Sequence, residues 1–258
     1  KARQPLHAAK AHIATKAQPV AWPAVTDEDP SFAELYPTDY LIEQVEGSLR
    51  RLDVERIDVF QLHCWAPDGL RNLEWFETLS ALKDAGKIDR IGVSIRDYRP
   101  ADGVDLAKSG LVDSIQVIYN IFEQEPNKAL FAAAAASETA IVARVALDSG
   151  ALSGAWTPET YARWGEGSVL HTFYRGERFA ETLDHVERLK AVTGPHYGNL
   201  AEAAVRFVLD APEVSTAILG MSTARRIYEN LSYSDGARLP DGLRAQLADH
   251  EWRRNYYV

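Results

Sequence analysis

The chain has 258 residues, 46% hydrophobic and 25% charged, with a net charge of −9; this is the profile of a globular chain able to bury a sizeable core. The acid excess argues against nucleic acid or an anionic membrane surface as the main partner, while leaving room for a local basic pocket for a phosphate. Cys64 is the one cysteine, so an internal disulfide and a multi-thiolate zinc site are excluded, no metal is expected, and a reducing, cytoplasmic setting is.

No apolar run approaches the length of a membrane span and no signal peptide is visible. Residues 13–16 form a short apolar segment that reads as a buried strand ending on Lys16. A polar loop with four prolines covers 17–37. Thr38 then reads as the N-cap of an amphipathic helix through Leu52, with Leu41, Ile42, Val45 and Leu49 at helical spacing. Residues 57–62 form the next strand, followed at once by His63. A helix over 74–85 carries Trp75, Leu79 and Leu82 on one face and stops at Gly86.

Strand 90–94, helix 100–109 ended by Gly110, strand 114–119, an Ala-rich helix 127–137 and strand 139–145 continue the alternation. Residues 146–175 are irregular, the signature of a lid or binding loop. Helices at 177–192 and 200–209, a strand at 214–219 and helices at 224–231 and 241–253 complete the chain. Strands alternating with helices indicate parallel βαβ units in one domain, 1–258. Six strands are two short of a closed (β/α)8 barrel. No G-x-G-x-x-G turn follows any strand, which weakens a dinucleotide fold of the doubly wound kind.

Lys16 and His63 sit at equivalent ends of neighbouring strands. Alone, each reads as a surface lysine or a satisfied core histidine. Together they are a pair able to polarise a carbonyl and to shift a nearby acid. Ser94 and Gln116 end the next two strands, where a hydroxyl and a carboxamide can bond an amide ligand or merely loop backbone. Residues 218–226 pass from a strand into a helix start, a place for phosphate, with Ser222 as cap and Arg226 as clamp. Trp22, Trp65, Trp156 and Trp164, in strand-end loops, either line an apolar substrate pocket or anchor the loops. The group His171, Arg175, Glu177 and Arg178 reads as solvated or capping.

These segments taken together resemble the aldo-keto reductase family over essentially the whole chain: 12–16 (HIATK), 48–63 (SLRRLDVERIDVFQLH), 79–94 (LSALKDAGKIDRIGVS), 116–120 (QVIYN), 147–154 (LDSGALSG) and 218–230 (ILGMSTARRIYEN). The likeness is strongest to bacterial members with an Ala-Arg-Val run, here 143–145. It implies a (β/α)8 barrel that binds NADPH and reduces an aldehyde or ketone, a small-molecule carbonyl, to an alcohol. By motif match, Lys16 and His63 correspond to two members of the catalytic tetrad. Ser94 and Gln116 match the carboxamide contacts, and Arg144 a side chain near the nicotinamide. Leu147, Gly150, Leu152 and Gly154 match the pyrophosphate loop. Gly220, Ser222, Arg226, Glu229 and Asn230 match the adenosine and 2′-phosphate pocket, where an arginine favours NADPH. Trp22 and Trp65 are the expected substrate-pocket residues.

Three departures accompany the match. Ile95 stands where the family has Asn, and Ala146 where it has Pro. The tetrad Asp and Tyr have no counterpart; neither Tyr36 nor Tyr40 stands in the family's tyrosine context. The chain starts at Lys1 in mid-pattern, which suggests that about two βα units precede it. Two functions follow as expectations: an NADPH-dependent carbonyl reductase, or a non-catalytic NADPH-binding or regulatory member of the same fold. A lyase using a Lys16 Schiff base is chemically conceivable but leaves the nucleotide motif without a purpose.

Overall fold

The computed structural model describes residues 11–24, 26–27 and 29–256. In chain order its elements are β1 (Ala14–Ala17), α1 (Phe32–Leu35), α2 (Thr38–Leu52), β2 (Ile57–Leu62), α3 (Glu74–Asp84), β3 (Ile88–Ser94), α4 (Gly103–Ser109), β4 (Ser114–Ile118), α5 (Leu130–Ala136), β5 (Ala140–Arg144), α6 (Val169–Phe173), α7 (Arg178–Thr193), α8 (Leu200–Leu209), β6 (Val214–Ala217), α9 (Ala224–Ser232) and α10 (Leu243–Ala248). The strands form a parallel sheet whose order follows the chain, β1 to β6. This is the β/α class expected from the alternating pattern. Among the described residues no helix is long and apolar enough to cross a membrane. The chain divides into two compact units, 1–117 with 129–141, and 118–128 with 142–258.

In the first unit the register is continuous across four strands: Lys16 pairs with Gln61, Gln61 with Gly92, and Gly92 with Ser114. Side chains alternate across a strand. One face therefore carries Phe60, Leu62, Ile91, Val93, Ile115 and Val117, all buried. The other carries Lys16, Gln61, Ser94, Ser114 and Gln116. Gly92 is required in that second row: a Cβ there would lie 2.5 Å from Ser114 Oγ and 2.9 Å from Gln61 Cγ.

Helix α2 buries Leu41, Val45 and Leu49 and packs beside α3 and β1. Fully burying each such side chain contributes about 1.5–3 kcal/mol. Its start differs from expectation. Pro37 is the N-cap, and Thr38 lies inside the helix with its hydroxyl 3.2 Å from that of Thr78. Proline's fixed φ ends the preceding loop, and Thr38 is used between helices instead. Gly110 takes the left-handed C-cap expected of it. Trp65 is fully buried, not a pocket wall. Its indole N–H donates to the Asp102 carbonyl at 2.9 Å, and its ring meets Phe32 at 4.9 Å and Trp75 at 5.8 Å. Asp113 joins β3 to the loop before β4, accepting from Ile91 N at 2.8 Å, Arg90 at 3.1 Å and Lys83 at 3.3 Å.

In the second unit α8 is largely buried, with Phe207 stacked on Tyr119 at 5.5 Å. The 146–175 stretch is built of short 3-10 turns, Asp148–Ser153 and Tyr161–Arg163, and of α6. Trp156 and Trp164 anchor it: their rings lie 5.0 Å apart, and Trp156 meets Tyr174 at 4.8 Å. The helix expected over 241–253 is shorter, because the chain leaves α10 and Trp252 N–H donates to the Phe122 carbonyl at 2.9 Å.

Two outcomes follow for stability. Trp65→Ala empties a packed aromatic cluster, a loss of about 3–5 kcal/mol, and lowers Tm by roughly 6–20 °C in a thermal melt. Burial raises the Asp113 carboxyl, but the Ile91 N–H, Arg90 and Lys83 outweigh it and hold it below the ordinary aspartate value. Its stabilisation is therefore complete above about pH 4 and is lost as pH falls through the lowered value. Asp113→Asn lacks that contribution at every pH, so the gap in urea midpoint between wild type and variant narrows on acidification. A constant gap would refute the assignment.

Candidate active site

The polar face of the first unit gathers the residues singled out in the sequence. Lys16, half-buried near the end of β1, donates from Nζ to Gln116 Oε1 at 2.8 Å. Strand β4 thus delivers Gln116, itself 2% exposed, to the lysine of β1. His63 follows β2 directly and is half-buried; its backbone N–H donates to the Ala17 carbonyl at 2.9 Å, which carries the strand pairing one residue past β2. Trp22 stands edge-on to the His63 imidazole at 5.2 Å and is 57% exposed. It therefore borders the histidine, whereas Trp65 is buried against Phe32 and Trp75.

Ser94 closes β3 with no accessible surface, and its hydroxyl has no hydrogen-bond partner among the described residues. A buried donor without a partner costs about 1–3 kcal/mol. A site that receives a polar ligand group removes that cost. Ile95 N–H donates to the Gln116 carbonyl at 2.8 Å while its side chain is buried. The Ile95 side chain, where the family has Asn, thus serves packing: a Cβ on Gly103 would meet Ile95 Cδ1 at 3.0 Å. Tyr36 is occupied elsewhere: buried, its oxygen accepts the Cys64 N–H at 2.8 Å. Tyr40 donates to the Gln18 carbonyl at 3.0 Å. Burial pushes the Cys64 thiol up to about 11, which removes it as a nucleophile beside His63.

The second unit holds the remaining residues. Arg144 ends β5, half-buried, and its carbonyl accepts from Tyr119 N–H at 3.2 Å. Asn120, at the end of the 116–120 segment, organises the turn after β4. Its Oδ1 accepts from Phe122 and Glu123 N–H at 2.8 and 3.0 Å, and its Nδ2 donates to the Val145 carbonyl at 2.9 Å. An Asn that bonds backbone two residues on is a local signal; the Val145 contact is not.

In the 147–154 loop, Leu147 accepts through its carbonyl from Gly150 and Leu152 N–H at 2.8 and 3.1 Å, and Leu152 is buried. Gly150 has φ +110, outside the range of other residues. Asp148 and Ser149 are left-handed without being glycine, at φ 47 and 55, each at a cost of about 1–3 kcal/mol. Gly154 N–H donates to the Ala151 carbonyl at 3.1 Å.

At the start of α9 the cap is Thr223, which accepts from Arg226 N–H at 3.3 Å; Ser222, the expected cap, instead accepts from Arg226 Nη1 at 3.0 Å. Thr223 has the extended φ/ψ that an N-cap needs, which moves the helix start one residue on. Asn230 donates from Nδ2 to the Gly220 carbonyl at 3.3 Å and ties the helix back to the loop. Glu229 lies 3.5 Å from Arg225. The first turn of α9 has two arginines and no acidic residue, a clustering of positive charge with the positive end of the dipole that a bound anion relieves.

A family model described as the aldo/keto reductase family matches residues 4–250. Aldo-keto reductase YhdN of Bacillus subtilis (strain 168) is 33% identical over 183 residues, 70% of this chain and 54% of the relative. A D-threo-aldose 1-dehydrogenase of Pseudomonas sp is 27% identical over 218 residues, 80% of this chain and 60% of the relative. The chain thus spans between half and two thirds of the length of these relatives. Among solved structures, the holo form of aldo-keto reductase AKR11C1 from Bacillus halodurans superposes with a TM-score of 0.69 at 25% identity, covering 93% of this chain and 72% of that one. The glycerol dehydrogenase AKR11B4 from Gluconobacter oxydans, at 24% identity, shares the fold with a TM-score of 0.72 over the same shares. A parallel β/α sheet together with a family model that matches residues 4–250 has one reading: the chain belongs to the aldo/keto reductase family.

Proposed function

We propose that the protein reduces an aldehyde or ketone to an alcohol with NADPH. The observation that carries this is that Lys16, Ser94 and Gln116 share one face of a sheet whose other face buries Phe60, Leu62, Ile91 and Val93, with His63 directly after β2. The cofactor's part is to supply a hydride to the carbonyl carbon. The donor set suits it. In the first unit the partnerless Ser94 hydroxyl and the Gln116 carboxamide suit the nicotinamide amide. In the second, the 147–154 loop suits a pyrophosphate and the basic first turn of α9 a 2′-phosphate.

His63 orients the carbonyl by a hydrogen bond to its oxygen, and Trp22 borders that position. Lys16 lowers the pKa of the acid that protonates the oxygen. Its bond to Gln116 holds the ammonium in place while coupling it to the amide-binding side chain. In the family that acid is a tyrosine; no motif among these 258 residues matches it. A second reading is a member of the same fold that holds NADPH without turning over. The single buried Cys64 suits a reducing, cytoplasmic setting.

Oxidation of NADPH by the purified protein, assayed against a panel of aldehydes and ketones, separates the two readings: turnover supports the reductase, while binding without turnover supports the second. In the reductase, Lys16→Met and His63→Ala each lower kcat/KM by about 10²–10⁴, with cofactor affinity nearly unchanged. Loss of affinity in place of rate would sink the roles given to both. Arg226→Ala removes a charge-assisted contact of about 1.5–3 kcal/mol, weakening NADPH binding roughly 10–100-fold while sparing NADH. Equal losses for the two cofactors would refute the phosphate assignment.

A further inference from the structure

Residues 252–256 follow α10 and do not belong to any strand or helix of the second unit, yet Trp252, Arg254 and Tyr256 are each held by several side-chain contacts. Trp252 is fixed three ways: by the Phe122 carbonyl, by the edge of the Phe122 ring at 5.5 Å, and by His185 stacked face to face at 3.8 Å. Burial, with the charges of Arg188 and Arg254, pushes His185 down to about 4, so the stacked ring is neutral at ordinary pH. The Arg254 guanidinium lies over Trp252 at 4.1 Å, Phe122 at 4.7 Å and Tyr256 at 5.2 Å, its side chain only 11% exposed. Arg178 Nη1 donates to the Tyr256 carbonyl at 3.3 Å.

The charged end of this assembly meets one residue of the 147–154 loop. Arg254 Nη2 donates to Asp148 Oδ2 at 2.6 Å. The Tyr174 hydroxyl lies 3.0 Å from the Asp148 carbonyl oxygen and 3.3 Å from Oδ2. The Tyr256 hydroxyl lies 3.0 Å from that of Tyr174 and 3.3 Å from the same Oδ2. Burial and the Asp148 charge raise both phenols, which keeps them protonated as donors. Asp148 is 5% exposed and left-handed, as is Ser149 after it. Such a backbone persists only where its surroundings over-determine it.

We propose that residues 252–256 are a strap that sets the shape of the 147–154 loop, with Arg254 as its positioning residue for the nucleotide pyrophosphate. This rests on the NADPH reading above. The loop's own hydrogen bonds at Gly150, Leu152 and Gly154 are short-range, so they close turns without aiming them. Arg254, with the Tyr174 and Tyr256 hydroxyls, ties Asp148 to distant parts of the unit, and a loop ordered before the ligand arrives loses less entropy on binding.

The test uses Arg254→Met, Arg254→Lys and the milder Tyr256→Phe in the purified protein. It reads amide hydrogen exchange and the NADPH Kd from cofactor fluorescence. Arg254→Met is expected to speed exchange across 147–154 while leaving α8 protected. Its Kd rises about tenfold. With a turnover substrate, cofactor KM rises while kcat at saturation stays within about twofold. Arg254→Lys recovers part of the affinity, and Tyr256→Phe shows the same pattern at smaller size, including where Arg254→Met fails to fold. Unchanged loop exchange and Kd in the variants overturn the strap, as does exchange that rises in α8 equally. A wild-type protein that binds neither NADPH nor NADH overturns the proposed function and the ligand side of the strap with it. Weakened binding confined to the strap variants supports both.

Discussion

The register of the parallel strands is the constraint on which the first unit's polar face depends. Lys16, Gln61, Gly92 and Ser114 form one row across β1 to β4, and Ser94 pairs with Gln116 one row above. A slip of a single residue at any pair would turn that strand's polar side chains to the opposite face and bury them among Phe60, Ile91 and Ile115. The apolar face therefore holds the polar one in place. Gly92 is where the two demands meet. Gln61 and Ser114 both lean over it, and any side chain there would push them apart and disturb the row that carries Lys16.

Much of this was legible in the sequence because the signals are local. Strand β2 and helix α8 have the bounds their patterns indicate, 57–62 and 200–209, since apolar runs and periodicity report burial directly. What failed to show was the choice between equivalent neighbours. Thr38 and Ser222 are each good caps by type, yet the helix starts are set by Pro37 and Thr223, because φ/ψ at one position decides which hydroxyl faces the free N–H groups. Trp65 and Trp22 both sit in strand-end loops; only packing distinguishes the buried ring, bonded to Asp102, from the exposed one beside His63.

Net charge was a poorer guide than local charge. The chain carries −9 overall, yet the first turn of α9 places Arg225 and Arg226 at the positive end of a helix dipole. Arg225 is partly answered by Glu229 and Arg226 by a neutral hydroxyl, Ser222. The arrangement leaves the second guanidinium without a carboxylate of its own among these contacts. Local excess of this kind is compatible with an acidic protein because screening confines such fields to about a Debye length.

The Arg254–Asp148 pair joins residues 106 apart in the chain, and no periodicity or motif connects them. Its role is not readily explained as stability: a buried ion pair roughly breaks even against an apolar replacement once desolvation is counted. What an apolar pair would not do is select one backbone shape. A carboxylate that must receive Arg254 and two phenols has few orientations that satisfy all three, and the orientation found here puts Asp148 and Ser149 in the left-handed region. The pair's energy is thus spent on geometry, which fixes the backbone of the 147–154 loop.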